Sequence, residues 1–196
     1  LSSVTVTDCL IEDNIAANYA GVYVNAFQVC DVVFDDNTIV NNDSTGAYAG
    51  GYIDIENFST YSVSGNTFDD NDATGNYGGL YLYTYNDTDG VFDDNTFINN
   101  SATTNYGGAR VDADYLCQMS MNRNVFGDSA LGGNSAGSNY GGLYLYIGYN
   151  SDVEGDDLAI DSNTVTAGSY GGGYVECEYL STFSMPKMVV TDNTAS

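Results

Sequence analysis

Apolar and polar residues alternate strictly in several short stretches of the chain. In Leu80-Tyr81-Leu82-Tyr83 and in Leu143-Tyr144-Leu145-Tyr146-Ile147 the aliphatic side chains share one face and the tyrosines the other. This period of two predicts strands with the aliphatic face inward. No segment carries the 3.6 period in Leu, Ala, Glu and Lys that a helical repeat needs. The pattern also recurs. A Tyr-(Ala/Gly)-Gly segment begins at Tyr19, Tyr48, Tyr77, Tyr106, Tyr140 and Tyr170, in three steps of 29 residues, one of 34 and one of 30. Three identical steps mark a structural repeat.

A second column keeps the same step. Asn37, Asn66, Asn95 and Asn124 are each 29 residues apart, and Thr38, Thr67 and Thr96 follow the first three. Apolar Ile39, Phe68 and Phe97 then lead into the turns Asn41-Asn42, Asp70-Asn71 and Asn99-Asn100. Each unit reads strand, turn, strand, turn. Stacking the units in register aligns Val24, Ile53, Leu82, Val111, Leu145 and Val175 as an inward column. The expected architecture is therefore all-β. Residues 1–196 should form one domain, a right-handed parallel β-helix (β-solenoid) of about six rungs of about 29 residues, with about three short strands per turn. The extra length of the 34-residue step falls at Asp128–Ser135, a segment expected to bulge out as a loop.

Phe97-Ile98-Asn99-Asn100-Ser101-Ala102 followed by Gly107-Gly108-Ala109 resembles the FxxN and GGA-(Ile/Leu/Val) repeats of the polymorphic outer membrane proteins of chlamydiae, and related repeats of bacterial surface proteins. Phe68-Asp69-Asp70-Asn71 with Gly78-Gly79-Leu80 is a second copy, and Ile39-Val40-Asn41-Asn42 with Gly50-Gly51-Tyr52 a weaker one. Phe126-Gly127-Asp128-Ser129 lacks the asparagine. The resemblance implies a coil fold and a surface-exposed, adhesin-like rod.

Charge narrows the partners. Three Lys and Arg face 27 Asp and Glu, a net charge of −24, and there is no His. Phosphate contacts need cations, so nucleic acid and anionic membranes are poor partners for a chain offering only Arg110, Arg123 and Lys187. No apolar run is long enough for a membrane-spanning helix, so membrane insertion is not expected. Without His, the commonest general base, zinc ligand and nucleophilic pairs are missing. The abundance of Asp, Asn, Gly, Ser, Thr and Tyr with little Lys points to an extracellular or cell-surface location. The chain opens at Leu1 with no basic leader, as a processed or excised chain does.

The most distinctive candidate for function is Tyr-x-Gly-x-Tyr: Tyr19 with Tyr23, Tyr48 with Tyr52, Tyr77 with Tyr81, Tyr106 with Arg110, Tyr140 with Tyr144, and Tyr170 with Tyr174. Period-two alternation places both side chains and the intervening glycine outward, which predicts two aromatic ladders flanking a glycine trough. The ladders either only stabilise the rungs by stacking, or dock another rod or chain, or offer a platform to glycan rings. Arg110 should be held among the rings by cation–π contact. Asp35, Asp36, Asp93 and Asp94 are candidate Ca²⁺ ligands at successive turns, set against a plain role as turn formers that satisfy backbone groups. No other cofactor is implied. A polysaccharide lyase or hydrolase needs converging catalytic groups, and Asp156-Asp157 point to opposite faces, so a non-enzyme is expected.

Cys30 and Cys117 share a phase three rungs apart, beyond disulfide reach. Cys177 follows Val175 in alternation and should point inward. Mostly buried thiols are expected, with a Cys9–Cys30 bond left open. Neither end offers an amphipathic cap, so further rod or neighbouring subunits should cover both. The function expected from sequence is a structural subunit of a surface filament or stalk, self-assembling through its ends and its tyrosine face. The alternative is a glycan-binding adhesin module.

Overall fold

The computed structural model describes residues 2–196 and holds no helix among them. Its strands form four parallel sheets that run the length of a coil. The first sheet runs from Ser2–Thr7 to Thr182–Ser184, the second from Leu10–Glu12 to Met188–Thr191, and the third from Ile15–Ala16 to Thr194–Ala195; each has seven strands. The fourth, from Val22–Ala26 to Gly173–Cys177, has six. The β-solenoid is as expected, but with about seven turns rather than six, and four strands per turn rather than three. Tyr-Gly segments count only the sheet that has six strands. The corner from the fourth sheet to the next strand of the first, at Asn57-Phe58 and Asn86-Asp87, carries no Pro and no Gly, so the sequence pattern does not mark it.

Left-handed backbone makes the corners. Asp36, Gly65, Asp94 and Arg123 turn the first sheet into the second, and Asn41, Asp70 and Asn99 turn the second into the third, all at φ between 52° and 68°. Asn, Asp and Gly adopt this region at least cost. The residue after each is an inward asparagine. Asn37, Asn66, Asn95 and Asn124 form one ladder, and Asn42, Asn71, Asn100, Asn134 and Asn163 another, all essentially inaccessible to solvent. In each ladder an amide Nδ2 donates to the Oδ1 of the next rung at 2.8–3.1 Å. Ladder Nδ2 atoms also donate to strand carbonyls, as Asn71 does to Ile39 and Asn66 to Phe34. These amides satisfy corner backbone groups that water cannot reach.

The core between the sheets is built from columns. Val24, Ile53, Leu82, Val111, Leu145 and Val175 stand in register as expected. Phe68, Phe97 and Phe126 stack at 4.9 Å spacings. Tyr61 lies inside the core, and Gly90 on the next rung leaves room for its ring. The long step is absorbed as a small loop in which Asp128 and Gly132 exchange backbone hydrogen bonds. Asn134 then returns to the asparagine column, so the copy at Phe126 keeps its ladder residue several positions late.

The thiols depart from expectation. All four are free, and only Cys117 is buried; Cys30 is half-buried and Cys9 and Cys177 are exposed. Cys177 does continue the inward column of Ile147, but it belongs to the last strand of its sheet, with no rung above it. Cys30 and Cys117 occupy one column with Ser59, Thr88, Ser151 and Ser181, whose side-chain oxygens bond within it, three turns apart as the spacing requires. Burial pushes the Cys117 thiol pKa up.

Candidate functional site

The sequence-predicted tyrosines do come together, along the corner between the third and fourth sheets. Tyr19, Tyr48, Tyr77, Tyr106, Tyr140 and Tyr170 make one continuous stack, with centroids 4.7–5.3 Å apart and planes within 9° of parallel. They are not strand residues, contrary to the alternation. Each sits at the corner with φ between 55° and 65°, a region that bulky side chains rarely adopt. Two things hold them there. Backbone bonds run unbroken through the corner, from Tyr48 N to Asn76 O, Ala49 N to Tyr77 O and Gly50 N to Gly78 O. The rings then lie face to face with both neighbours.

The glycine trough is also corrected. A Cβ on Gly50 would lie 2.2 Å from the carbonyl oxygen of Gly79, and one on Gly79 would lie 2.1 Å from that of Gly108. The missing side chain points along the rod, so glycine is required by rung stacking. Nor is there an open trough. The two ladders touch above the glycines, with centroids 4.8 Å apart for Tyr19 and Tyr23, 5.0 Å for Tyr48 and Tyr52, and 4.9 Å for Tyr77 and Tyr81.

The second ladder runs Tyr23, Tyr52, Tyr81, Arg110, Tyr144, Tyr174 in strict register. Arg110 takes the place of a ring. Its guanidinium carbon lies 4.9 Å from the Tyr81 centroid, 5.1 Å from Tyr144 and 5.3 Å from Tyr106. The same guanidinium forms a fork with the buried Asp112, Nε and Nη2 bonding its carboxylate at 2.7–3.0 Å. Burial opposes the Arg110 charge, but the Asp112 hydrogen bonds and charge outweigh it and raise its pKa. For Asp112 burial dominates and pushes the carboxyl up, with Arg110 and the Tyr81 hydroxyl holding it back.

Sequence reasoning missed the columns beside this ladder. The tyrosine hydroxyls donate to carboxylates, Tyr81 to Asp112 and Tyr144 to Glu176 at 2.8 Å, and Tyr52 to Asp54 at 3.2 Å. Burial, then these carboxylates, raise the pKa of Tyr52, Tyr81 and Tyr144. Burial and Asp114 push the Tyr146 hydroxyl up to about 12. The rings therefore stay protonated and act as donors. Stacking covers the ring faces and leaves ring edges at the surface, while Tyr144 is almost wholly buried.

The candidate Ca²⁺ ligands lie elsewhere, where the first sheet turns into the second. Asp35 accepts from Ser62 Oγ and Ser64 N, Asp93 from Ser120 Oγ and Asn122 N, and Asp94 forms a fork with Arg123 at 2.6 Å. Asp36 stands at the left-handed corner beside Gly65. The carboxylates of Asp35, Asp93 and Asp94 thus meet donors of the next rung. Among the described residues no three His, Cys, Asp or Glu converge as a metal cluster. Asp156 and Asp157 do not point to opposite faces as alternation predicts: Asp157 stands at a left-handed corner, and both carboxylates meet Lys187, at 2.9 and 3.5 Å. Comparison with protein-family models, with curated proteins and with solved structures found no match, so the resemblance to the chlamydial repeats rests on the motifs alone.

Proposed function

We propose that this chain is a non-enzymatic structural rod, part of an extracellular filament or surface stalk. The observation that carries this reading is the regular tyrosine corner: six rings from Tyr19 to Tyr170 stack without a break along the rod, so the same face repeats on successive rungs. A face that repeats at the rung spacing lets like rods associate side by side in register.

The tyrosine face supports lateral docking as the mode of contact. Aromatic patches at a surface mark interfaces, and here half-buried ring edges are what a neighbour meets. A sugar stacks on an open ring face, and within the ladders those faces are occupied, so this geometry favours protein docking over the glycan reading. Electron microscopy and sedimentation of the 196-residue chain at near-physiological salt test the proposal. Fibres, or oligomers that grow with concentration, are expected. Discrete short rods at every concentration overturn it. Saturable glycan binding that is lost in Tyr81→Ala and Tyr144→Ala would then favour the adhesin module.

A further inference from the structure

The outward columns of the fourth sheet carry a second pattern. Asp54 and Glu56 are followed one rung on by Tyr83 and Tyr85, then by Asp112 and Asp114, then by Tyr146 and Gly148, and Glu176 stands on the last rung. Glu178, two residues past Glu176, completes a third acidic pair. Carboxylate pairs therefore recur every second rung, about 9.6 Å apart at the usual strand spacing. The alternation keeps like charges off adjacent rungs. It also leaves an acidic stripe on which the one cation, Arg110, is already bonded to Asp112.

Part of that stripe lacks donors. Asp54 is only 9% exposed, and its Oδ1 accepts no hydrogen bond. The Asp114 Oδ1 is likewise buried and unpartnered. Asp114 lines an open groove of about 400 Å³ with Tyr83, Tyr146, Glu176 and Glu178. Gly148 stands between the two acidic rungs there and leaves a notch over which the Tyr146 hydroxyl leans. Burial raises the carboxyl pKa of Asp54, Glu56, Asp112 and Asp114, so their charge is held against a desolvation penalty that a bound cation relieves.

We propose that this stripe of alternating acid and tyrosine docks an extended basic segment of a partner protein, its ammonium or guanidinium groups seated on the carboxylate pairs between tyrosine rings. A polyproline II segment advances about 3.1 Å per residue with three residues per turn, so cations at every third residue share one face and recur about 9 Å apart, close to the two-rung repeat. A second copy of the chain does not fit, because its three cations are bonded within their own chain to Asp112, Asp94 and the Asp156–Asp157 pair. Docking of this kind does not depend on whether the rods polymerise.

The test is fluorescence anisotropy with a labelled peptide carrying Lys at every third position between serines, against a peptide of the same composition with its lysines contiguous. The spaced peptide should bind more tightly. Asp114→Asn combined with Glu178→Gln should weaken it about tenfold, as loss of a close charge pair does. Glu176→Gln with Glu178→Gln, whose amide oxygen at 176 still accepts from Tyr144, should weaken it in the same direction. Asp43→Asn with Asp72→Asn removes equal charge from the third sheet and should leave binding within about twofold. Circular dichroism checks that each variant keeps its strands. Equal weakening by the third-sheet pair would mean attraction to net charge alone and overturns the proposal, as does absence of binding or indifference to lysine spacing.

Discussion

Two corners of this coil solve the same problem with opposite chemistry. At the corner between the second and third sheets, and at the one between the third and fourth, a left-handed residue bends the chain and one residue type stacks on itself rung after rung. At the first the stacked side chain turns inward: Asn71 is wholly buried, donates to Ile39 O and Asn100 Oδ1, and accepts from the Asn42 backbone and side chain. At the second it turns outward, and Tyr77 lies between Tyr48 and Tyr106 at 4.7 and 4.9 Å. A buried amide has directional bonds that no other side chain supplies. A ring stack is graded and tolerates exchange. Thus the long step displaces the loop but restores Asn134 to its ladder, while Arg110 stands in the neighbouring aromatic column. Tolerance of exchange belongs to the outer corner.

The difference can be broken most severely at the inner corner. Asn71→Ala strands the Asn42 backbone donor and the Ile39 carbonyl in a dry site, and should lower unfolding free energy by about 4 kcal/mol in denaturant titration. A smaller loss, or a rod of unchanged stability, would mean that water reaches the ladder.

Arg110→Tyr comes next, because it completes the aromatic column but removes the partner of a buried carboxylate. It should cost about 3 kcal/mol at neutral pH. The sign with pH follows from Asp112, whose folded pKa is raised by burial and in this variant is no longer held back by Arg110. With the folded pKa above the unfolded value of about 4, the folded state binds the extra proton, so stability falls as pH rises through that window and recovers as pH drops toward 4. A deficit that stays flat from pH 7 to pH 4 would deny Asp112 this role.

The smallest and most discriminating change lies in the stack itself. Tyr77→Ala should cost about 2 kcal/mol for two stacked contacts and their burial. Tyr77→Gly loses the same contacts but accepts the left-handed backbone, and should be less destabilising than the alanine by about 0.5–1 kcal/mol. Thermal unfolding of the two variants side by side checks the order. An alanine more stable than the glycine would show that the corner relaxes out of the left-handed region once the ring is gone.

Much of this was legible in the chain. The 29-residue step, the inward column from Val24 to Val175 and the late loop at Asp128 follow from spacing alone, because a solenoid repeats its contacts at the period of its sequence. The tyrosines of the candidate face were legible as columns for the same reason. Their placement was not. Alternation assigns Tyr19 to a strand, and only the corner geometry shows it left-handed. The burial of Asn66 and Asn71 was hidden as well, since an asparagine that forms a turn and one that threads a core read alike. The carboxylate alternation from Asp54 to Glu176 spans residues far apart in sequence, and it becomes a pattern only once register is known.

By itself, then, the sequence determined the period, the strand character and the residues that share a column, because these depend on local alternation and on the length of one turn. Tertiary structure decided which face each column takes, which carboxylates find a donor and which remain unmet. Those outcomes depend on what the rungs above and below present, and a side chain bonded along the rod meets its partner some thirty residues away.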